Sequence, residues 1–382
     1  MTTNRKIKVC HIISFISYSL FIEAIGQFLD KEEYEISFIF LNPDVSPIER
    51  ALVEGGYRVE HIDYRGRKQF LSTVYRLRKL LKNIGPDIVH THLVDASMAG
   101  LVAARTLGIK RRLHTRHHGA ECHIYYPHGV YYDKLINRLS SRIIATTGIV
   151  RDILVDREGA NEKKVRVIPY GYDLSRFDGN EQVTNELADK YGLRGHYPVI
   201  GMISRFVELK GIQYVIPAFA RISKEYPDAK LVLANASGDY AKVVNSLLER
   251  ELSANQYVKI VFETKIFDLY SNFDIFLHVP VTRDAEAFGQ TYIEALYAEI
   301  PSVLTIAGIA PDFIRDGENA VVVPYCDSDA IYAAMQSLLK DEELRKRITK
   351  DSKNAVCKLF GGESLAIELD NVYVDLMSSY SK

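Results

Sequence analysis

The sequence predicts an α/β chain of two doubly wound domains, each a parallel sheet with helices on both faces. Three observations predict it. At 382 residues the chain is too long for one small core. Short β-like runs alternate with helical patterns, the signature of parallel strands joined by crossover helices. The alternation lapses in a turn-rich stretch and a glycine-containing link, then begins again at Val199. The boundary is therefore expected near 180–196, with domains at 1–185 and 186–363.

Taken in order, Ile7–Ile13 is a β-like run, and Phe21–Leu29 carries Phe21, Ala24, Ile25 and Phe28 on one helical face. Tyr34–Leu41 is a strand, Pro47–Val53 a short helix and Tyr57–Ile62 a strand. Phe70–Leu81 is a basic helix, and Asp87–Thr91 a buried strand after Pro86. Ala96–Leu107 is an alanine-rich helix closed by Gly108. Arg112–Thr115, Tyr132–Leu139, Arg142–Thr146, Ile149–Val155 and Val165–Pro169 continue the pattern, and Tyr170–Asn180 is turn-rich. In the second half, Val199–Ile203, Ala229–Leu233, Val258–Phe262, Asp274–His278, Ser302–Ile306 and Ala320–Val323 read as strands. Ile212–Ser223 and Val243–Leu252 read as helices, and the chain from Ala330 is helical with an interruption at Gly361–Gly362.

Composition is that of a globular protein, 47% hydrophobic and 25% charged. The cysteines, at 10, 122, 326 and 357, form no CxxC pair, so neither a disulfide framework nor a thiolate metal site is suggested. Lys6 and Lys8 precede an apolar run, Val9 to Ile13, that reads as a strand rather than a signal peptide. No run approaches the ~18 apolar residues that span a bilayer. A cytoplasmic protein is expected. The net charge of −1 divides unevenly: residues 1–180 sum to +7 and the remainder to −8. A basic front half suggests an anionic partner there, although chance unevenness on a solvated surface gives the same count.

Chemistry on doubly wound sheets lies just beyond the carboxyl ends of strands. Arg205, Glu286 and His118 all follow predicted strands. In RDAEAFGQTYIEALYAEIP, Glu286 and Glu294 stand at E-x7-E spacing around Phe288–Gly289, just before a helical run. A glycine there admits a ligand to the backbone, and the first free N–H groups of the helix suit an anion. Carboxylates repel phosphate, so the two glutamates read as acceptors for sugar hydroxyls. The bland reading is an amphipathic helix with two exposed glutamates. In GMISRFVELKG, Arg205 offers a planar fork and Lys210 a mobile charge, together enough to neutralise a diphosphate. Singly, each is better read as a solvated charge on a turn.

RFVELKG, the E-x7-E segment with its FG, RVIPYGYDLSRF at 166–177 and PDIVHTH at 86–92 together resemble the retaining glycosyltransferases of family 4. The resemblance runs over nearly the whole chain, in the expected order. It implies the GT-B fold: two Rossmann-like domains facing each other across a deep cleft, with about 364–382 crossing back onto the first. It implies that Arg205 and Lys210 hold the diphosphate of a nucleotide-sugar, that Glu286 contacts the hexose and that Glu294 contacts the ribose. Phe288, Gly289, Gln290 and Thr291 would lie against hexose and phosphate. It also implies a sugar contact from His118, with His117 as the rival. The chain departs from the family pattern at Ser14–Ser19, in place of a glycine-rich turn, at Ala234–Gly238, at Phe262 and at Tyr170. Base and acceptor are therefore left open.

His114, His117, His118 and His123 cluster with Glu121 and Cys122, but no helical H-x3-H pair is present and no metal is expected. Asp284-x-Glu286 mimics a D-x-D metal motif, yet its place before FG argues against that role. His90 and His92 read as structural. Arg65–Lys82 has seven basic residues and no acid, with Arg76, Lys79 and Lys82 off the apolar face. A basic amphipathic helix suits an anionic membrane surface, and a core-packed helix with a solvated face fits equally. The expected activity is metal-independent hexosyl transfer from a nucleotide-sugar donor to a glycan or lipid-linked acceptor, in cell-envelope polysaccharide or glycolipid synthesis. No cofactor and no nucleic-acid partner are expected. The alternatives are a non-catalytic sugar-nucleotide-binding subunit and a GT-B nucleotide-sugar epimerase.

Overall fold

Two separate parallel sheets form among residues 5–379, the part of the chain that the structure, a computed structural model, describes. The first contains β1 (Ile7–Ser14), β2 (Tyr34–Asn42), β3 (Arg58–Asp63), β4 (Ile88–His92), β5 (Arg112–Arg116), β6 (Arg142–Ala145) and β7 (Val165–Val167). Their order is β3-β2-β1-β4-β5-β6-β7, with Val9 registered between Ile36 and Ile88. The second contains β8 (Val199–Ile203), β9 (Lys230–Ala234), β10 (Tyr257–Ile260), β11 (Ile275–His278), β12 (Ser302–Leu304) and β13 (Val321–Val322), in the order β10-β9-β8-β11-β12-β13. Strands covered on both faces read as continuous apolar runs, which is why β8 and β11 are legible as VIGMI and IFLH. In each sheet the strand order reverses once, between β1 and β4 and between β8 and β11. The crevice outside the carboxyl ends at such a point is where open α/β sheets bind ligands.

The chain divides into two compact units. One runs to Asp173 and resumes at Phe360; the other is Leu174–Leu359. The helix Gly362–Ser379 therefore belongs to the first unit, as the resemblance implies. Its Leu365, Leu369, Val372, Tyr373 and Leu376 join Phe21, Ile25 and Phe38 in one buried cluster. In the second unit the helices Ile212–Glu225 and Ser328–Lys340 cover one sheet face, with Phe219, Leu231, Leu277 and Met335 at the centre. Asp327 caps the second of these by accepting from the Ala330 N–H at 2.9 Å. Short helices at Glu121–Tyr125, Ile266–Tyr270 and Ala310–Phe313 were not expected; none is long enough to show a helical period.

Candidate active site

In the second unit the loops after β8 and β11 meet at the point of strand reversal. The first ends in a 3-10 turn, Glu208–Lys210, followed by Gly211 at φ 77°. A Cβ at Gly211 would stand 2.0 Å from the Val279 carbonyl oxygen, so only glycine lets this loop press against the end of β11. The Val281 N–H donates to the Leu209 carbonyl at 3.0 Å and pins the two loops together. This docking brings the Lys210 ammonium onto the Glu286 carboxylate as a close ion pair. Arg205 is exposed, and among the described residues none pairs with its guanidinium.

Glu286 and Glu294 are 9% and 7% exposed, so the reading of two solvent-facing glutamates is wrong. β11 delivers His278, itself 1% exposed, beside Glu286. Its Nε2 lies 3.1 Å from Glu286 Oε1 without the alignment of a hydrogen bond. Burial pushes the Glu286 carboxyl up, but His278 and Lys210 outweigh it and hold the pKa down at about 2. Among the described residues, Glu294 has no cation beside it. Burial raises its pKa, opposed by the Tyr270 hydroxyl and the Gln290 amide, each donating at 2.7 Å.

Gly289, at φ 85°, sits before the helix Gln290–Tyr297, and no side chain caps it. A Cβ there would meet the Tyr292 ring at 2.7 Å. The helix thus begins with open N–H groups beside Glu286, an arrangement suited to an anion. Thr291 Oγ1 stands 3.3 Å from His278 Nδ1. Phe288 is buried, and its carbonyl accepts from the Ile309 N–H at 2.8 Å. Its contribution is therefore to hold the turn.

His118 lies in the first unit, beyond β5. Its Nε2 is 3.2 Å from Asp133, whose carboxylate also meets Arg116 at 3.1 Å. Burial raises the Asp133 pKa, and His118 and Arg116 reverse that to a net lowering. His117 is committed elsewhere, with Nε2 3.0 Å from His92 Nδ1 and Nδ1 2.6 Å from the Tyr170 hydroxyl. The chain continues inward: His92 Nε2 meets His11 Nδ1 at 3.0 Å, His11 Nε2 meets the Tyr373 hydroxyl at 3.5 Å, and that hydroxyl meets His90 Nδ1 at 2.9 Å. His90 Nε2 ends the chain on Thr115 at 2.7 Å. Among the described residues, two groups each bring three potential metal donors within 4.8 Å of one another, His11/His90/His92 and His118/Cys122/Asp133. In the first, both nitrogens of each ring already face protein partners; in the second, Arg116 already supplies a cation. All four cysteines are free.

Sequence reasoning missed His278 and Tyr270. A histidine closing an apolar run passes for core, and its only signal is its place at a strand's carboxyl end. Tyr270, at the end of a helix too short to show a period, gave none.

Residues 183–355 match the family model Glycosyl transferases group 1, and residues 20–176 match the model Glycosyltransferase Family 4. The chain is 26% identical over 321 residues to mannosylfructose-phosphate synthase of Agrobacterium fabrum, spanning 77% of this chain and 70% of that protein. It is 28% identical over 322 residues to the capsular polysaccharide biosynthesis glycosyltransferase CapM of Staphylococcus aureus, spanning 80% and 83%. To alpha-monoglucosyldiacylglycerol synthase of Acholeplasma laidlawii it is 23% identical over 354 residues, spanning 86% and 84%. The crystal structure of Anabaena HepE in complex with UDP aligns with a TM-score of 0.81 at 16% identity, covering 97% of this chain and 100% of that one. Fold and relatives define a glycosyltransferase of the GT-B type. The chain belongs to glycosyltransferase family 4.

Proposed function

We propose that this protein is a retaining hexosyltransferase that moves a sugar from a nucleoside-diphosphate donor to a glycan or lipid-linked acceptor. The observation that carries the reading is the meeting of Lys210 with Glu286 at the strand reversal of the second sheet, beside an uncapped helix N-terminus. In this reading Arg205, Lys210 and the open N–H groups of the helix Gln290–Tyr297 receive the diphosphate. Glu286 accepts hydroxyls of the hexose. Glu294 uses its remaining lone pairs for the ribose, and His118 touches the sugar. The bond from C1 to the phosphate oxygen breaks with its electrons passing to the diphosphate. The acceptor oxygen bonds C1 on the same face, and its proton goes to the departing phosphate. The chain's cations supply the electrostatic stabilisation for that departure, so the reaction is proposed to need no metal. The setting proposed is the cytoplasm, at the inner face of the cell membrane, in cell-envelope polysaccharide or glycolipid synthesis.

Lys210→Ala and Arg205→Ala should each lose roughly a hundredfold in turnover, about 3 kcal/mol of barrier, with the melting temperature little changed. Donor consumption and a thermal melt on the same preparations test this. Near-normal turnover in either variant would sink the assignment. Binding of a sugar nucleotide without turnover across a broad acceptor panel would instead favour a sensor subunit.

A further inference from the structure

Two groups converge on Glu286 Oε1, the Lys210 ammonium and the His278 imidazole. Lys210 holds that oxygen, and His278 Nε2, buried and 3.1 Å away, is left without a hydrogen bond. A buried N–H without a partner is costly, so this nitrogen is poised to complete a bond if the carboxylate turns. Thr291 lies on the other side of the ring, 3.3 Å from Nδ1. If the threonine hydroxyl donates to Nδ1, the neutral imidazole carries its proton on Nε2, facing Glu286. The Tyr292 ring, edge-on at 4.5 Å and 90°, keeps the imidazole in that plane.

We infer that His278 is a positioning residue that takes over the Glu286 carboxylate when a diphosphate draws Lys210 away. The inference rests on the donor reading given above. The Lys210–Glu286 ion pair commits each charge to the other. A diphosphate competes for the Lys210 ammonium and opens the pair. Glu286 would otherwise be left buried, charged and free to turn, a poor template for a sugar. The His278 Nε2–H then fixes it through one oxygen, and the other is presented to a sugar hydroxyl. Recognition of the sugar is thereby made conditional on the phosphates already being in place.

The test compares the affinity of free nucleoside diphosphates with that of their sugar forms by calorimetry, using UDP, GDP and ADP with and without glucose or mannose. Gln at 278 can place an N–H near the Nε2 position; Asn reaches only the Nδ1 position. His278→Gln should keep the wild-type preference for the sugar form within about threefold. His278→Asn and His278→Ala should lose that preference by tenfold or more while binding the free diphosphate as before. In the wild type, one imidazole N–H resonance, absent from His278→Gln, should shift on adding the free diphosphate. A His278→Ala protein that keeps the wild-type preference overturns the inference alone. A wild-type protein that binds none of these nucleotides overturns both the inference and the donor reading beneath it.

Discussion

Glu286 and Glu294 carry the same side chain into opposite electrostatic settings, and their functions should separate accordingly. Glu286 faces Lys210 and His278; Glu294 faces the neutral Tyr270 and Gln290. Glu286→Gln removes the partner that competes with phosphate for Lys210, so it should leave affinity for a free nucleoside diphosphate unchanged or stronger. It should still weaken the sugar form, by about tenfold for one charged hydrogen bond. Glu294→Gln should weaken both ligands together, as expected of a contact with the ribose they share. Titration of each variant with the two ligand forms checks this; equal losses for Glu286→Gln would remove its hexose role. The meeting of Lys210 with Glu286 has a signal in the sequence, because both stand in loops that follow predicted strands. The partner-exchange geometry has none, because it depends on a buried imidazole that looks like core in IFLH.

The helix Phe70–Ile84 shows how far an element is legible from its period. Helical spacing predicted its extent to Leu81, and the structure carries it one turn further, to Gly85 at φ 62°. The residues it buries are Thr73, Leu77, Leu81 and Ile84, a stripe that leaves Leu71 and Tyr75 81% and 59% exposed. Arg76, Lys79 and Lys82 are exposed as well. The face left outside the core is thus basic with apolar points, and no helix of the described residues is long and apolar enough to cross a membrane. Each lysine or arginine near an anionic leaflet contributes about 1 kcal/mol, screened by salt. Binding to anionic vesicles should therefore be reversible, fall as salt rises and be weak on neutral vesicles. Replacing Arg76, Lys79 and Lys82 together by Gln should abolish most of it without altering nucleotide affinity. Co-sedimentation across a salt series decides; a wild-type protein that stays in the supernatant at low salt makes this an ordinary solvated face.

At the scale of the whole molecule, the buried histidines set a limit on acid stability. Burial holds His11 and His117 at about 3, and holds His90, His92 and His114 well below their ordinary value. In the unfolded chain all five titrate near 6.5. As pH falls from about 6.5 toward about 3, the unfolded chain binds protons that the folded chain refuses, so stability falls with pH. Each group contributes at most about 1.4 kcal/mol per pH unit, so five acting together lower stability by on the order of 7 kcal/mol for one full pH unit below their unfolded pKa. That is comparable with the ~5–15 kcal/mol that holds a typical domain folded. Urea midpoints should be nearly flat above pH 7.5 and collapse between about pH 6 and 5; an unchanged midpoint at pH 4.5 would contradict the assignment of these imidazoles as neutral. The two-sheet architecture was legible in the strand–helix alternation, because each unit repeats it. The histidine chain was not, since His11, His90 and Tyr373 meet only through the sheet and the returning helix.

The return of Gly362–Ser379 to the first unit also fixes an order of events during synthesis. A ribosome must translate all of Leu174–Leu359 before Tyr373 can reach His90 or Asp370 can reach Tyr34. At about 5–20 residues per second, that leaves the first unit without its closing helix for roughly 10–40 s. The later half of the nascent chain is thus able to fold first. The earlier half waits with Phe21, Ile25 and Phe38 lacking the apolar side chains of that helix until it is made.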